Sequence, residues 1–116
     1  MSCHVIENAA GLRVSINANG SLSRIDHDDI MLNLFRGNVM EGGPANLYLR
    51  RLGDHPAATV LLGPQSSAQR EDDAAGYTLR GAWEAIAYRV SLRLAAHTPV
   101  WFWHVQLVNT DRKSVV

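Results

Sequence analysis

Apolar and polar side chains alternate most regularly over residues 86–94. One set of alternate positions holds Ile86, Tyr88, Val90, Leu92 and Leu94, and smaller or charged residues stand between them. An amphipathic helix would repeat its apolar residues at i, i+3 and i+4, whereas a period of two is that of a β-strand. The pattern therefore predicts a long strand with one buried face.

Shorter stretches with the same period lie on both sides of this strand. Residues 12–16 alternate, and Asn19-Gly20 predicts a hairpin that leads into residues 22–25. Further strand candidates are residues 4–6, as a short edge strand, and residues 46–52, 58–62 and 77–83. No stretch has the pattern of an amphipathic helix. We therefore expect an all-β fold, an antiparallel β-sandwich of roughly seven to nine strands.

The last strand candidate, residues 100–108, is apolar on both faces at its start. This composition predicts a central strand that is covered on both sides. Trp101 and Trp103 continue into an aliphatic face, for which core packing is the favoured interpretation. The opposite face is the better candidate for a groove and carries Phe102, His104 and Gln106.

Two connectors differ from ordinary turns. Residues 35–46 contain three glycines and a proline, and this composition predicts either a corner of fixed shape or a loop that presents a polar ligand site. The polar side chains available to such a ligand are those of Asn38, Glu41 and Asn46. Residues 63–76 have loop composition and are predicted to be the most mobile segment. Their acidic cluster, residues 71–73, is interpreted as solvated.

Composition excludes several classes of function. The 116 residues fit one domain, residues 1–116, and the 11 basic and 11 acidic residues cancel, so nothing favours nucleic acid as a partner. The first 30 residues lack the pattern of a secretory signal and no stretch is apolar enough for a membrane span, so neither is predicted. Its single cysteine, Cys3, cannot form an internal disulfide, and we expect a cytoplasmic protein.

The sequence predicts neither a metal site nor a cofactor. Cys3 and His4 have no further ligand at a metal-binding spacing. His27 stands among three aspartates, Asp26, Asp28 and Asp29, but consecutive side chains diverge, so a solvated turn is the favoured interpretation. No phosphate loop, nucleophile elbow or dinucleotide fingerprint is present.

The stretch NLFRGNVMEGGPANLYLRR, residues 33–51, with the upstream NGSLSRIDHDDIMLNLF, carries a family resemblance. It resembles the start of the amino-terminal β-domain of glycoside hydrolase family 94 and its relatives, formerly glycosyltransferase family 36. That group includes cellobiose-type phosphorylases and cyclic β-1,2-glucan synthases. The resemblance extends over about residues 11–110 and implies a galactose-mutarotase-like supersandwich. In the family this sandwich is longer than the present chain, and a catalytic helical barrel follows it.

Residues 109–113 are predicted to form a turn and residues 114–116 to open another strand. Together with the resemblance, this pattern predicts that the chain is a fragment of the sandwich that lacks the barrel. The family's catalytic acid lies on the barrel, so Glu41 and Glu84 are poor catalytic candidates and no catalytic residue is predicted. We expect self-association into a homo-oligomer, because a partial sheet leaves exposed edges.

The function that the resemblance implies is that of a non-catalytic β-domain that packs on a catalytic domain and shapes its sugar site. Pyranose rings stack on aromatic side chains, and their hydroxyl groups need polar partners. The predicted carbohydrate-binding residues, for a gluco-oligosaccharide ligand, are Asn38, Glu41, Asn46, Arg50, Phe102 and His104. The alternative is a stand-alone carbohydrate-binding or scaffold module. A third hypothesis, by analogy of fold alone, is a mutarotase-like enzyme that uses His104 and Glu41.

Overall fold

The computed structural model describes residues 4–110, and these residues form ten β-strands in three antiparallel sheets, with no helix among them. The strands are β1 (His4–Glu7), β2 (Leu12–Ile16), β3 (Leu22–His27), β4 (Ile30–Met31), β5 (Tyr48–Arg51), β6 (Ala57–Val60), β7 (Gln69–Glu71), β8 (Tyr77–Trp83), β9 (Ile86–Leu94) and β10 (Trp101–Asn109). The predicted all-β, antiparallel fold is confirmed. Asn109, predicted as the first residue of a turn over residues 109–113, is instead the last residue of β10. Cys3, residues 111–113 of that turn and the strand predicted for residues 114–116 lie outside the described residues.

The first sheet contains four strands in the order β1-β2-β3-β4. Alternate residues of β2, Leu12, Val14 and Ile16, are completely buried. The predicted hairpin joins β2 to β3, with the amide of Asn17 donating to the carbonyl oxygen of Ser21 at 2.8 Å. The predicted edge strand at the beginning of the chain is also confirmed, as β1.

The second sheet has the order β10-β9-β8-β7. The strands predicted at residues 77–83 and 86–94 are present as β8 and β9, joined by a tight turn in which Glu84 has a φ of 54°. The interpretation of residues 63–76 as one loop was wrong in part. Residues 69–71 form β7, which pairs with β8. All three residues of β7 are polar or charged, so the composition did not indicate a strand, which is defined by its backbone pairing with β8.

The two four-stranded sheets face each other in a sandwich-like arrangement around one apolar cluster. Leu12, Val14, Ile16, Leu22 and Ile25 come from the first sheet, and Tyr77, Leu79 and Leu92 come from the second. The two-stranded ribbon of β5 and β6 covers the remaining part of the second sheet. There, Leu47 and Leu49 pack against a second cluster that contains Tyr88 and Val90.

The position of β10 differs from the prediction. Residues 100–108 were expected to form a central strand, but β10 is an edge strand of the described sheet. Trp101 and Trp103 pack on the core as predicted, whereas Val105, Leu107 and Val108 are exposed. Apolar side chains on both faces indicate that a strand makes contacts on both faces, but they do not determine which strand lies beside it.

Another apolar run is also exposed. Residues 30–35 contribute only the two residues of β4 to a sheet, and the side chains of Leu34 and Phe35 extend into solvent. No helix in the described part of the chain is long and apolar enough to cross a membrane.

Candidate functional site

The outer face of the second sheet, the face turned away from the core, carries several polar side chains on neighbouring strands. The period of two that buries Tyr88, Val90 and Leu92 places Arg89, Ser91 and Arg93 on this face. The register between β9 and β10 then sets Arg93 opposite Phe102, Ser91 opposite His104 and Arg89 opposite Gln106.

These side chains enclose a shallow groove of about 320 Å³, here called the Phe102 groove. Its lining consists of Arg89, Ser91, Arg93, Phe102, His104 and Gln106. The short side chain of Ser91 lies between two long arginines, which leaves the recess. The ring of Phe102 is 48% exposed and is therefore accessible to a ligand. The sequence-based choice of this face as a groove is consistent with this geometry.

Asp73 holds Arg93 at one end of the groove. Its carboxylate accepts hydrogen bonds from the Arg93 guanidinium, the Thr78 hydroxyl and the Ala75 amide, the last at 3.0 Å. Burial opposes ionisation, but the hydrogen bonds from Arg93, Thr78 and Ala75 and the charge of Arg93 lower the pKa of Asp73 to about 2. The carboxylate is therefore ionised at neutral pH and orients Arg93.

Glu71 holds the second arginine. Its two carboxylate oxygens meet Arg89, with Nε at 2.9 Å from Oε2 and Nη2 at 3.1 Å from Oε1. This paired geometry fixes the guanidinium plane more strictly than a single contact does. The acidic cluster at residues 71–73 was interpreted as solvated, and this interpretation was wrong for Glu71 and Asp73, which are ion-pair partners of two groove residues.

Sequence reasoning missed Arg89, Ser91 and Arg93. They were recognised only as the polar half of an alternating strand. The sequence did contain one indication of this site. Arg89 and Arg93 are four positions apart in a predicted strand, so both lie on the same face. Their pairing with Glu71 and Asp73 depends on β7 lying at the edge next to β8, which the sequence did not indicate.

Of the six predicted carbohydrate-binding residues, Phe102 and His104 line the Phe102 groove and the other four do not. Asn38, Glu41 and Asn46 belong to the connector at residues 35–46, which packs on the first sheet. Arg50 lies on β5 and lines a separate groove of about 520 Å³ with Leu49, Arg51, Trp83, Glu84 and Leu107. Within that groove Arg51 donates to Glu84.

The connector at residues 35–46 has the properties of a corner of fixed shape. The side-chain Oδ1 of Asn38 accepts hydrogen bonds from the amides of Met40 and Glu41, both at 2.8 Å, so its oxygen closes the turn. Gly42 has a φ of +84°. The side chains of Glu41 and Asn46 remain exposed on this fixed backbone. Glu41 is not among the residues that line the Phe102 groove with His104, so the structure does not bring the proposed mutarotase-like pair into one site.

The aspartates around His27 are directed to different partners. Asp26 accepts two hydrogen bonds from Arg24, at 2.6 and 2.8 Å, whereas Asp28 lies 3.6 Å from His27. Within residues 4–110, no three His, Cys, Asp or Glu side chains are grouped closely enough to hold a metal ion.

The match to a known family spans the groove and nearly all of both sheets. A family model described as the SOGP N-terminal domain matches residues 15–116. The chain belongs to this family. A search of curated proteins gives no match. In this SOGP N-terminal domain the matched region begins inside β2 and includes every strand from β3 to β10, so all residues of the Phe102 groove lie within it.

Proposed function

We propose that this SOGP N-terminal domain is the non-catalytic β-domain of a cytoplasmic carbohydrate-active enzyme of the β-glucan or cellobiose phosphorylase type. It packs on a catalytic domain and shapes the sugar site from one side. The resemblance of residues 33–51 to glycoside hydrolase family 94 supports the class of enzyme. The chemistry of the Phe102 groove supports the role in sugar binding.

The observation that carries the proposal is the combination of side chains in this groove. Phe102 offers an exposed ring for the C–H face of a pyranose. Arg89, Arg93, His104 and Gln106 stand around it as hydrogen-bond donors and acceptors for hydroxyl groups. Two of them are held in place by carboxylates, so little side-chain entropy is lost when a sugar binds.

The connector at residues 35–46 supplies a second, rigid contact in this proposal. Its backbone is fixed by Asn38 and by packing on β3, where the amide of Gly37 donates to the carbonyl oxygen of Ser23 at 2.8 Å. The side chains of Glu41 and Asn46 then face outwards. They are available to the hydroxyl groups of a sugar that is bound by a neighbouring domain. A site of this kind discriminates between sugars, because a sugar that lacks the matching hydroxyl group leaves a polar group buried without a hydrogen bond. Each such group costs about 1–3 kcal/mol of binding free energy.

Titration calorimetry of the chain with β-linked gluco-oligosaccharides tests the proposal. We expect saturable binding with a Kd in the millimolar range, weakened about tenfold or more by Phe102→Ala because the stacking face is lost. Val5→Ala is the control, since Val5 is an apolar side chain of similar exposure, 47% against 48%, and lies on β1, outside both the groove and the connector. Replacement of Trp101 is less suitable, because Trp101 packs against the core.

The result also separates the proposal from the alternatives. No heat of binding up to about 10 mM sugar would contradict a contribution of this face to sugar binding and would leave a scaffold role. Tight binding, with a Kd of about 10 µM or less, would favour a stand-alone carbohydrate-binding module, because such a module has to retain its ligand without a catalytic domain.

We also propose that the chain self-associates through β10. Residues 101–109 contain no charged residue and no proline, the features with which edge strands are usually protected. Antiparallel pairing of two copies about Val105 would set Trp103 opposite Leu107 and Phe102 opposite Val108. His104 would then lie opposite Gln106, so these three pairs around Val105 each join side chains of like polarity, whereas the outermost pair sets Trp101 opposite Asn109.

A further inference from the structure

Two arginines lie directly opposite each other on the outer face of the second sheet. Arg80 of β8 is the register partner of Arg89 of β9. Gln69 of β7 lies beside Arg80, and Gln106 of β10 lies beside Arg89, so a row of four long polar side chains crosses all four strands. Like charges in directly opposed positions destabilise a sheet.

The charge of this row is only partly compensated. Arg89 is paired with Glu71. Arg80 is exposed, and its side chain makes no hydrogen bond or ion pair with another residue among 4–110. One formal positive charge is therefore left in the row, beside a second guanidinium that is already fixed in position.

A recess of about 610 Å³ adjoins the row. It is lined by the four residues of the row, Gln69, Arg80, Arg89 and Gln106. Ala82 and Ala87, the neighbouring cross-strand pair on the same face, also line it. The recess exists because these alanines end at Cβ while their neighbours extend several atoms further. The Arg80 guanidinium offers five N–H donors, the Arg89 guanidinium offers those that do not bind Glu71, and the two carboxamides offer four more.

We propose that this recess is a binding site for an oxyanion, either a phosphate group or a carboxylate, held by Arg80 and Arg89 and flanked by Gln69 and Gln106. Guanidinium groups bind both kinds of anion with paired hydrogen bonds. The site goes beyond the proposed sugar function and does not depend on it. It shares Arg89 and Gln106 with the Phe102 groove, so an anionic substituent of a ligand in that groove lies within its reach.

Thermal unfolding at pH 7.5 and constant ionic strength tests the site, with part of the sodium chloride replaced by sodium phosphate or by sodium acetate. Phosphate should raise the Tm of the chain saturably, by about 5 °C at concentrations well above the Kd. Phosphate also stabilises folded proteins by exclusion from their surface, so the rise that counts is the part that depends on Arg80. Such a rise with phosphate alone assigns the site to phosphoryl groups, and one with acetate as well extends it to carboxylates. No rise with either anion overturns the proposal.

Arg80→Gln is the decisive variant. It should raise the Tm in chloride, because the like-charge pair is removed, and it should abolish the response to phosphate. Arg36→Gln is the matched control, since Arg36 is also exposed and without a polar partner in residues 4–110 but lies outside the recess. An unchanged phosphate response in Arg80→Gln overturns the site. Phe102→Ala should keep the phosphate response, so failure of the sugar proposal and failure of this one are distinguishable.

Discussion

The Asp73 carboxylate holds the Arg93 guanidinium on the outer face of the second sheet, where Arg93 is the direct cross-strand partner of Phe102. The same carboxylate accepts a hydrogen bond from the Thr78 hydroxyl, which lies 2.8 Å from the Ser91 hydroxyl at the floor of the groove. One carboxylate therefore connects the loop after β7 to two of the residues that shape the Phe102 groove.

The stability of the fold should consequently fall in acid through Asp73. Its pKa in the folded chain is about 2, below the value of about 3.9 expected when the chain is unfolded. The stabilisation is complete above about pH 4 and is lost as the pH falls towards 2, because the unfolded chain then binds the proton more readily. Urea unfolding at a series of pH values between 7 and 2.5 measures this loss.

Asp73→Asn isolates this contribution. We expect the variant to lose about 1–3 kcal/mol of unfolding free energy at pH 7, because an ionic hydrogen-bond acceptor is replaced by a neutral amide. Its stability should depend less on pH below 4 than that of the unchanged chain. Asp54→Asn, in an exposed turn, is the control and should show the original acid profile. An Asp73→Asn profile parallel to the original would contradict the assignment.

The close approach of the connector to β3 gives a second prediction. A Cβ atom on Gly37 would overlap the carbonyl oxygen of Leu22, which is backbone and cannot move aside. Gly37→Ala should therefore cost about 3 kcal/mol or more. Gly53→Ala provides the comparison, since Gly53 has a φ of +116° but open space around it, and backbone strain alone should cost about 1–2 kcal/mol. Equal costs in urea unfolding would show that the contact with Leu22 has no effect.

Local patterns in the sequence predicted most of the fold. The alternation of residues 86–94 specified β9 and its buried face, because the period of two is a property of the strand itself. The same holds for β2, β8 and the hairpin at Asn19-Gly20. These elements need no information about their neighbours.

The candidate site was less accessible to sequence reasoning because it is built across strands. Phe102 and His104 could be placed on one face by their spacing, but their neighbours Arg93 and Ser91 are contributed by the register between β9 and β10. Asn38 shows the opposite case. It was a candidate ligand, yet its side-chain oxygen is occupied by two backbone amides, and only the path of the loop determines this.

Tyr77 and Thr78 provide a matched test of buried hydroxyl groups. The Tyr77 hydroxyl is buried without a hydrogen-bond partner among the described residues, and burial raises its pKa. The Thr78 hydroxyl bonds to both Asp73 and Ser91. Tyr77→Phe should leave stability unchanged or raise it by up to about 1 kcal/mol, whereas Thr78→Val should lower it by about 1–2 kcal/mol. Calorimetric unfolding of the two variants gives both values, and a large loss in Tyr77→Phe would reveal a partner for its hydroxyl group.

Self-association through β10 can be tested at Val105, the residue about which the two copies of the strand are proposed to pair. In the proposed register Val105 meets its own copy, so Val105→Lys places two like charges opposite each other and should weaken association about tenfold or more. Val5→Lys is the matched control, because Val5 is similarly exposed, at 47% against 44%, on the edge strand β1 of the other sheet. Sedimentation velocity over a range of protein concentrations measures both variants. Equal weakening by both would mean that general charge is responsible, and a monomeric unchanged chain would exclude this interface. Selective weakening by Val105→Lys would locate the contact on β10, at the edge that also carries the Phe102 groove.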